Sequence, residues 1–174
     1  EFGLREVIIV GENSSEDGMK ESLGEAAARY LEYTIKDGNI VGVSMGSTLF
    51  EVVSHVVHPA AQKVTFVPLV GGVGRVRMEL HANSLAESLS RIYNGKFVPL
   101  HAPARVSSRN IRDELLKEDS LLPAIYLTQK LDIAVVGIGY PNEKSAIMAT
   151  GYFKEKEIDA LSDRKVAGEL CMQF

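Results

Sequence analysis

The stretch Val41-Gly-Val-Ser-Met-Gly-Ser-Thr-Leu49 joins three kinds of local sequence, and their order predicts the fold. Ile40–Val43 is apolar and β-branched, which is typical of the end of a buried strand. Residues 44–47 break that pattern, and Gly46 permits a turn that a side chain would obstruct. After the turn, the apolar residues follow helical spacing at Leu49, Val52, Val53, Val56 and Val57. We therefore predict a strand, a turn of small residues and a helix.

The predicted turn is a candidate anion site. Free N–H groups and the positive end of a helix dipole meet at such a point, and phosphate is the usual ligand. The hydroxyls of Ser47 and Thr48 can cap the helix or donate to the same anion, and ordinary capping is the simpler alternative. The stretch has neither the Gly-Lys-Ser/Thr of a P-loop nor a GxGxxG fingerprint, so it does not indicate a nucleotide.

Composition limits the classes of protein to consider. The chain has 174 residues, 45% hydrophobic and 24% charged, which fits one globular domain. Its net charge of −4 makes it a poor nucleic-acid binder by itself. The single cysteine, Cys171, is interpreted as a core thiol in a reducing compartment. We expect a soluble, cytoplasmic protein without a membrane partner, because no apolar run approaches 18 residues and no signal peptide opens the chain.

Short apolar runs alternate with helical patterns along the chain. Strands are predicted at residues 7–10, 64–70, 97–100 and 133–139, the last being the strongest and residues 97–100 lying near an edge because of Pro99. Helices are predicted at residues 19–35, 80–93 and 155–161, with one or two more in residues 107–130 that break at Pro123. This alternation predicts an α/β fold: a Rossmann-like parallel sheet with helices on both faces.

Three predicted strands end in glycine-rich turns, at residues 44–48, 71–74 and 137–139. Ligands of parallel sheets bind beyond the carboxyl ends of the strands. We therefore expect these turns to converge on one crevice.

Five motifs support a resemblance to a known family. They are Gly42-Val-Ser-Met-Gly-Ser-Thr48, Phe66-Val-Pro-Leu-Val-Gly-Gly72, His81-Ala-Asn83, Val136-Gly-Ile-Gly139 and Val166-Ala-Gly-Glu-Leu-Cys171. In this order they resemble the effector-binding domain of SorC/DeoR-type bacterial transcriptional regulators, over residues 5–174. That domain is similar in fold to sugar-phosphate isomerases and glucosamine-phosphate deaminases, and its ligands are phosphorylated sugars.

The resemblance also implies a larger protein. Residues 1–174 would be the effector domain of a homodimeric or homotetrameric regulator, without the N-terminal helix-turn-helix that binds operator DNA. They would also lack the family's last C-terminal segment, which contributes a lysine to the ligand phosphate. No cofactor is implied.

Site residues follow from the resemblance position by position. Those of the first turn would hold the phosphate: Ser44, Met45, Gly46, Ser47, Thr48 and Leu49. Those around the sugar would be Gly71, Gly72, His81, Asn83, Gly137, Gly139 and Glu169, with Glu169 as the acidic contact. Two departures leave the sugar open: Val70 stands where several members carry a basic residue, and His81 replaces an amide.

Simpler interpretations compete for several of these residues. His81 and Asn83 are two positions apart and cannot share a helix face, so Asn83 is also a candidate N-cap of a helix that begins near it. His101 is assigned to a loop that could border the crevice. Arg75 and Arg77 belong either to a solvated surface or to the phosphate site. His55 and His58 have i, i+3 spacing but no third ligand nearby, so no metal site is predicted.

An enzyme of the same fold is the alternative from another class. A sugar-phosphate isomerase or deaminase needs a carboxylate or histidine base near the reacting carbons. The three glycine-rich turns contain no carboxylate, and Glu79 and Glu169 are the acids nearest to them in sequence. We therefore expect binding without turnover and no catalytic residues. A domain whose crevice binds nothing is a third alternative.

Overall fold

The structure is a computed structural model that describes residues 3–57, 59–140, 150–154, 156–157, 160–161 and 166–174. Its helices are α1 Glu16–Thr34, α2 Ser47–His55, α3 Ala82–Ile92, α4 Arg109–Leu115 and α5 Leu122–Thr128, with one 3-10 turn at Met78–Leu80. Its strands are β1 Ile40–Val43, β2 Thr65–Pro68, β3 Lys96–Phe97, β4 Ile133–Val135, β5 Ile138–Gly139 and β6 Glu169–Leu170.

The central sheet is parallel and has the strand order β3-β2-β1-β4. Val41 is opposite Phe66 on one side and Ile133 on the other, so β1 lies in the middle of the sheet. The predicted α/β fold with a Rossmann-like parallel sheet is confirmed, as is the edge position of the third strand. Because all four strands point the same way, their carboxyl ends and following turns lie at one edge.

Helices cover both faces of this sheet. Val41, Val43 and Phe66 belong to the main core cluster, together with residues of α1, α2 and α3. Side chains alternate along a strand, so Gly42 and Val67 face the other way, where β2 contacts α5. A Cβ at Gly42 would come within 2.8 Å of Leu131, so glycine lets apolar side chains pack directly on the central strand.

The N-terminal prediction is wrong. Residues 7–10 form no strand, and Val7 and Ile9 are 65% and 89% exposed. A strand needs a hydrogen-bonded neighbour, and no backbone hydrogen bond joins residues 3–12 to the rest of the described chain. Apolar composition without such a neighbour does not make a strand.

The strand predicted at residues 133–139 is also corrected. It divides into β4, which is parallel to β1, and β5, which pairs antiparallel with β6 in a separate two-stranded sheet. Ile138 is 85% exposed, so the run is not buried along its whole length. Its second half leaves the main sheet to pair with the last residues described.

Helix predictions are mostly confirmed, with shifted ends. Ser15 is the N-cap of α1, and its hydroxyl accepts the Gly18 N–H. α2 ends at His55 instead of continuing towards residue 58. The region 107–130 holds two helices, but Pro123 lies in the first turn of α5 and does not mark the break. Of residues 155–161, the described positions 156, 157, 160 and 161 are helical, and the others lie outside the described residues. No helix in the part described is long and apolar enough to cross a membrane.

Gly24 sets the distance between α1 and α2. A Cβ at this position would lie 2.5 Å from the Glu51 Cβ and 2.7 Å from its backbone carbonyl carbon. We expect Gly24→Ala to lower the free energy of unfolding by about 1–3 kcal/mol, because overpacking outweighs the roughly 1 kcal/mol gained in helix propensity. Denaturant unfolding measures the change.

Gly18→Ala is the matched control on the same helix. Its added Cβ would meet the exposed side chain of Asn13, which can rotate away. The control should be neutral or slightly stabilising. Equal losses in the two variants would contradict the proposed contact.

Tyr93 carries an unsatisfied hydroxyl in the core. Its ring packs on Phe66 with centroids 5.3 Å apart, and its Oη has no hydrogen-bond partner among the described residues. Burial, with a smaller contribution from the charge of Glu32, raises the pKa of Tyr93 from 10.0 to about 12. The folded state therefore keeps the phenol neutral.

Tyr93→Phe should raise the free energy of unfolding by about 1 kcal/mol at neutral pH, because it removes a buried polar atom and keeps the ring. In the wild type the unfolded chain loses the phenol proton first, so stability is complete below pH 10.0 and declines as the pH rises towards about 12. The variant should lack this alkaline decline. Denaturant unfolding at neutral pH and at about pH 11 tests both effects, and a less stable variant at neutral pH would show that the hydroxyl has a partner.

Candidate functional site

The turn after β1 leaves the start of α2 without a side-chain cap. Gly46 occupies the N-cap position at φ +128°, and its N–H donates to the Leu80 carbonyl at 3.1 Å. Ser47 and Thr48 lie inside the first turn, and no side chain in the described part of the chain caps the helix. The capping alternative for these hydroxyls is therefore not what this structure shows. The N–H groups of Ser47, Thr48 and Leu49 have no acceptor within the helix.

A cavity of about 480 Å³ lies next to Leu80, the residue whose carbonyl accepts the Gly46 N–H, because the following residue, His81, lines it. Its lining consists of the loop after β2, the start of α3, the segment after β3 and one residue from further along the chain. The residues are Gly72, Val73, Gly74, His81, Asn83, Leu100, His101, Ala102, Pro103 and Tyr152. Of the predicted site residues, the structure brings Gly72, His81 and Asn83 together here.

Asn83 joins α3 to the segment after β3. Its Nδ2 donates to the Leu100 carbonyl at 3.1 Å, and its Oδ1 accepts the Leu100 N–H at 3.0 Å. The helix begins at Ala82 with His81 in the N-cap position, so the expectation that Asn83 caps a later-starting helix is wrong. The amide acts instead like a short piece of strand that fixes one wall of the cavity.

His81 presents one ring nitrogen to the protein. Its Nε2 lies 3.0 Å from the Val76 carbonyl, and a carbonyl can only accept, so Nε2 carries the hydrogen. In the neutral ring, Nδ1 is then the nitrogen that accepts a hydrogen bond. His101 also lines this cavity, in agreement with the expectation that its loop could border the crevice.

The glycine pair after β2 serves the scaffold. A Cβ at Gly71 would lie 2.4 Å from the Ala102 carbonyl oxygen, so a side chain would push residues 102–104 away. The Gly72 N–H donates to Ala102 at 2.8 Å, and its carbonyl accepts from Ala104 at 2.9 Å. The backbone of Gly72 is therefore engaged inside the protein while Gly72 still borders the cavity.

The turn and the cavity are adjacent but separate features. Gly46 contacts Leu80, which precedes His81, and Met45 packs with Val73 in a second apolar cluster. That cluster also contains Val70, Ala82, Val76, Ala104, Tyr152, Cys171 and Met172. Val70 stands where several family members carry a basic residue. It is 4% exposed and packs inside this cluster.

Several predicted contacts have other roles in the structure. Ser44 is 3% exposed, its N–H donates to Val135 at 3.0 Å, and its Oγ lies 3.4 Å from the Cys171 sulfur. Leu49 is 4% exposed, so its side chain belongs to the core. Only their backbone atoms could reach a ligand without rearrangement.

The site residues predicted near the end of the sequence, Gly137, Gly139 and Glu169, do not line the cavity. Glu169 accepts the Met172 N–H and lies opposite Gly139 in the β5–β6 pair. Gly137 has no neighbour within 4 Å of an added Cβ. None of the three belongs to the described cavity lining, so the convergence of all three glycine-rich turns on one crevice is not seen there.

Sequence reasoning missed Tyr152 and the apolar lining residues Leu100, Ala102 and Pro103. Tyr152 donates its hydroxyl to the Gly72 carbonyl at 3.0 Å, although 80 positions separate them. No spacing rule indicates a contact that far apart in the chain. The pairing of Gly72 with Ala102 likewise depends on how two loops meet.

The electrostatics of the cavity favour neutral or anionic ligands. No carboxylate belongs to the lining in the described residues, and two imidazoles do. Arg77 pairs with Glu79 at 3.2 Å on the surface, and the Arg75 side chain lies against Gly151. Across the parts described, no group of three or more His, Cys, Asp and Glu side chains is placed to hold a metal ion.

Removing the Asn83 amide tests its role as a connection between α3 and the cavity wall. Asn83→Ala should lower the free energy of unfolding by about 2 kcal/mol, because it leaves the Leu100 N–H and C=O without their partner. Exposed Asn110 in α4 is the control, and its change to Ala should stay within about 0.5 kcal/mol. Denaturant unfolding gives both values; similar effects at the two positions would refute the connection.

Comparison with known proteins identifies the family. The Sugar-bind family model, a sugar-binding domain, matches residues 1–174. The chain is 26% identical to the sorbitol operon regulator of Klebsiella pneumoniae and 24% identical to the deoxyribonucleoside regulator of Bacillus subtilis. Each alignment covers 99% of this chain, and 56% and 55% of the respective relatives, so the chain spans about half their length.

A solved structure shows the same fold. The probable sor operon regulator from Shigella flexneri superposes with a TM-score of 0.88 at 28% identity, covering 99% of this chain and 68% of that one. All three relatives are named as regulators. The chain belongs to the sugar-binding domain family of SorC/DeoR-type transcriptional regulators.

Proposed function

We propose that residues 1–174 are the effector domain of a transcriptional regulator and that the effector is a phosphorylated sugar. The observation that carries this proposal is the uncapped start of α2, with three N–H groups that lack intrahelical acceptors. The Gly46 N–H donates to the Leu80 carbonyl, and the next residue, His81, lines the cavity together with His101. A helix start of this kind stabilises a phosphate through its N–H groups and its dipole.

The phosphate is expected at Gly46, Ser47 and Thr48. Ser47 and Thr48 are half-buried, so their hydroxyls can donate to an anion that is partly removed from water. The backbone N–H of Leu49 completes this group of donors. Ser44 and Met45 stabilise the turn, Ser44 through its contact with Cys171 and Met45 by packing in the second apolar cluster. The helix dipole adds a partial positive charge at this point, and a basic side chain would strengthen binding further.

The sugar is expected in the adjoining cavity. His81 offers its Nδ1 to a sugar hydroxyl group, and Asn83 and Gly72 border the same space. Glu169, Gly137 and Gly139 would reach the sugar only through a movement of the β5–β6 pair towards the cavity. The names of the relatives, a sorbitol operon regulator and a deoxyribonucleoside regulator, make phosphates of sorbitol and of deoxyribose the first compounds to test.

Regulation follows from this assignment. In the full-length protein, the domain would be joined to a DNA-binding helix-turn-helix and would assemble as a homodimer or homotetramer. Ligand binding would favour one arrangement of the oligomer and thereby change its affinity for operator DNA. The family's final segment, with its phosphate-binding lysine, would add to the affinity.

The double variant Ser47→Ala, Thr48→Ala tests the phosphate site. Loss of two donors to a charged group should weaken binding of the phosphorylated sugar about tenfold to a hundredfold, with the fold intact. Titration calorimetry with sorbitol 6-phosphate and 2-deoxyribose 5-phosphate measures the affinities, with each unphosphorylated sugar as the ligand control.

Ser54→Ala is the matched protein control. It removes a hydroxyl from the other end of α2, where Ser54 donates to the Phe50 carbonyl at 2.9 Å. This variant should bind like the wild type. Unchanged affinity in the double variant, or equal affinity for free and phosphorylated sugars, would contradict the site. Product formation during the incubation would instead support an isomerase or deaminase.

A further inference from the structure

Tyr152 belongs to a short segment that crosses one side of the cavity. We call residues 150–154 the strap. The Tyr152 hydroxyl donates to the Gly72 carbonyl at 3.0 Å, and its N–H donates to Thr150 Oγ1 at 3.2 Å. Tyr152 also packs in the apolar cluster with Met45 and Val73. The strap therefore supplies a wall that contacts the loop after β2, and it shares an apolar cluster with Met45 of the turn after β1.

Arg105 holds the strap from outside the cavity. Its Nη1 donates to the Tyr152 carbonyl, its Nη2 donates to Glu157 Oε1 at 3.0 Å, and its guanidinium carbon lies 4.7 Å from the Phe153 ring centroid. One planar cation thus contacts three residues of the strap region at once, which lysine cannot match in geometry. Arg105 is not part of the cavity lining.

The backbone next to Arg105 is held by hydrogen bonds, as its guanidinium group is. Ala104, the preceding residue, donates its N–H to the Gly72 carbonyl, the same atom that accepts the Tyr152 hydroxyl. The loop after β2, the segment carrying Arg105 and the strap therefore form a closed ring of contacts around one side of the cavity. Because each contact shares Gly72 or Arg105, loosening either one should release Tyr152.

Glu157, whose carboxylate pairs with Arg105, is suited to holding the arginine in place. The Lys154 N–H and the Arg105 guanidinium donate to Glu157 and hold the pKa of that carboxyl below its ordinary value. Glu157 is therefore ionised at neutral pH. The ion pair by itself adds little to the stability of the fold, because Arg105 and Glu157 are 43% and 42% exposed. Its effect is to fix the position of the Arg105 guanidinium.

We propose that Arg105 is a positioning residue for the effector site: it holds Tyr152 against the cavity and so slows the release of whatever the cavity binds. This inference rests on the proposed function for the identity of the ligand, but the hold on the strap can be measured without any ligand. Arg105 acts through Tyr152 and makes no contact with the ligand itself.

The first test follows the strap in the ligand-free protein. In Arg105→Ala, amide hydrogen exchange in peptides covering residues 150–154 should accelerate, while exchange in β1 and β2 and the melting temperature stay close to those of the wild type. Arg109→Ala is the matched control, since Arg109 is an exposed arginine at the start of α4 that pairs with no carboxylate among the described residues. Unchanged exchange in the strap of Arg105→Ala would overturn the proposal.

The second test measures retention of ligand, with sorbitol 6-phosphate and 2-deoxyribose 5-phosphate as probes. Arg105→Ala should release the probe about tenfold faster with little change in the association rate, and Arg105→Lys should recover part of the loss. Tyr152→Phe removes the hydrogen bond to Gly72 and should also speed release. The double variant should be no worse than the poorer single variant, because both changes act through one contact.

The outcomes separate the two proposals. Additive effects in the double variant, or full recovery of slow release with any cation at position 105, would contradict positioning through Tyr152. Failure of the wild type to bind either probe would count against the proposed effector class, while hydrogen exchange would still decide whether Arg105 holds the strap.

Discussion

The candidate site depends on the hydrogen bonds made by the backbone N–H and C=O of Gly72. Its N–H donates to Ala102, and its carbonyl accepts both the Ala104 N–H and the Tyr152 hydroxyl. Three segments from distant parts of the chain meet at this point, and the cavity is the space between them. Gly71 makes the meeting possible, because a Cβ there would collide with the Ala102 carbonyl oxygen. The glycine pair is thus required first for chain packing and only then for ligand access.

The same region shows how a site can be built from residues that do not contact its ligand. Asn83 spends both ends of its amide on Leu100, and Val70 packs inside an apolar cluster with Met45 and Val73. The C-terminal hairpin contributes to that cluster through Cys171 and Met172, both at positive φ in a two-residue turn. Such backbone is uncommon for residues other than glycine and asparagine, and tertiary packing has to stabilise it.

The sequence predicted the scaffold well where local patterns and tertiary structure agree. The strand, turn and helix from Ile40 to His55 were predicted because strand composition, a glycine and helical spacing follow one another within 16 residues. Predictions failed where an apolar run had two possible neighbours or none. Residues 7–10 have the composition of a buried strand but no hydrogen-bonded neighbour, and the run 133–139 divides between two sheets.

The sequence by itself determined the α/β class, the order of the main helices and strands, the strand, turn and helix around Gly46 that form a candidate anion site, and the resemblance to SorC/DeoR-type regulators; that the start of α2 is uncapped was visible only in the structure. These properties depend on residue type and on short spacings, which the chain carries before it folds. Tertiary structure alone decided that Asn83 is a connection to Leu100, that Glu169 pairs with its own hairpin, and that Tyr152 faces Gly72. The contacts of Asn83 and Tyr152 join residues whose separation in the chain sets no preference, so they follow from packing and from the need of buried polar groups for partners. Glu169 bonds to an N–H only three positions along, within the turn that the hydrogen bonds between Leu170 and Gln173 close.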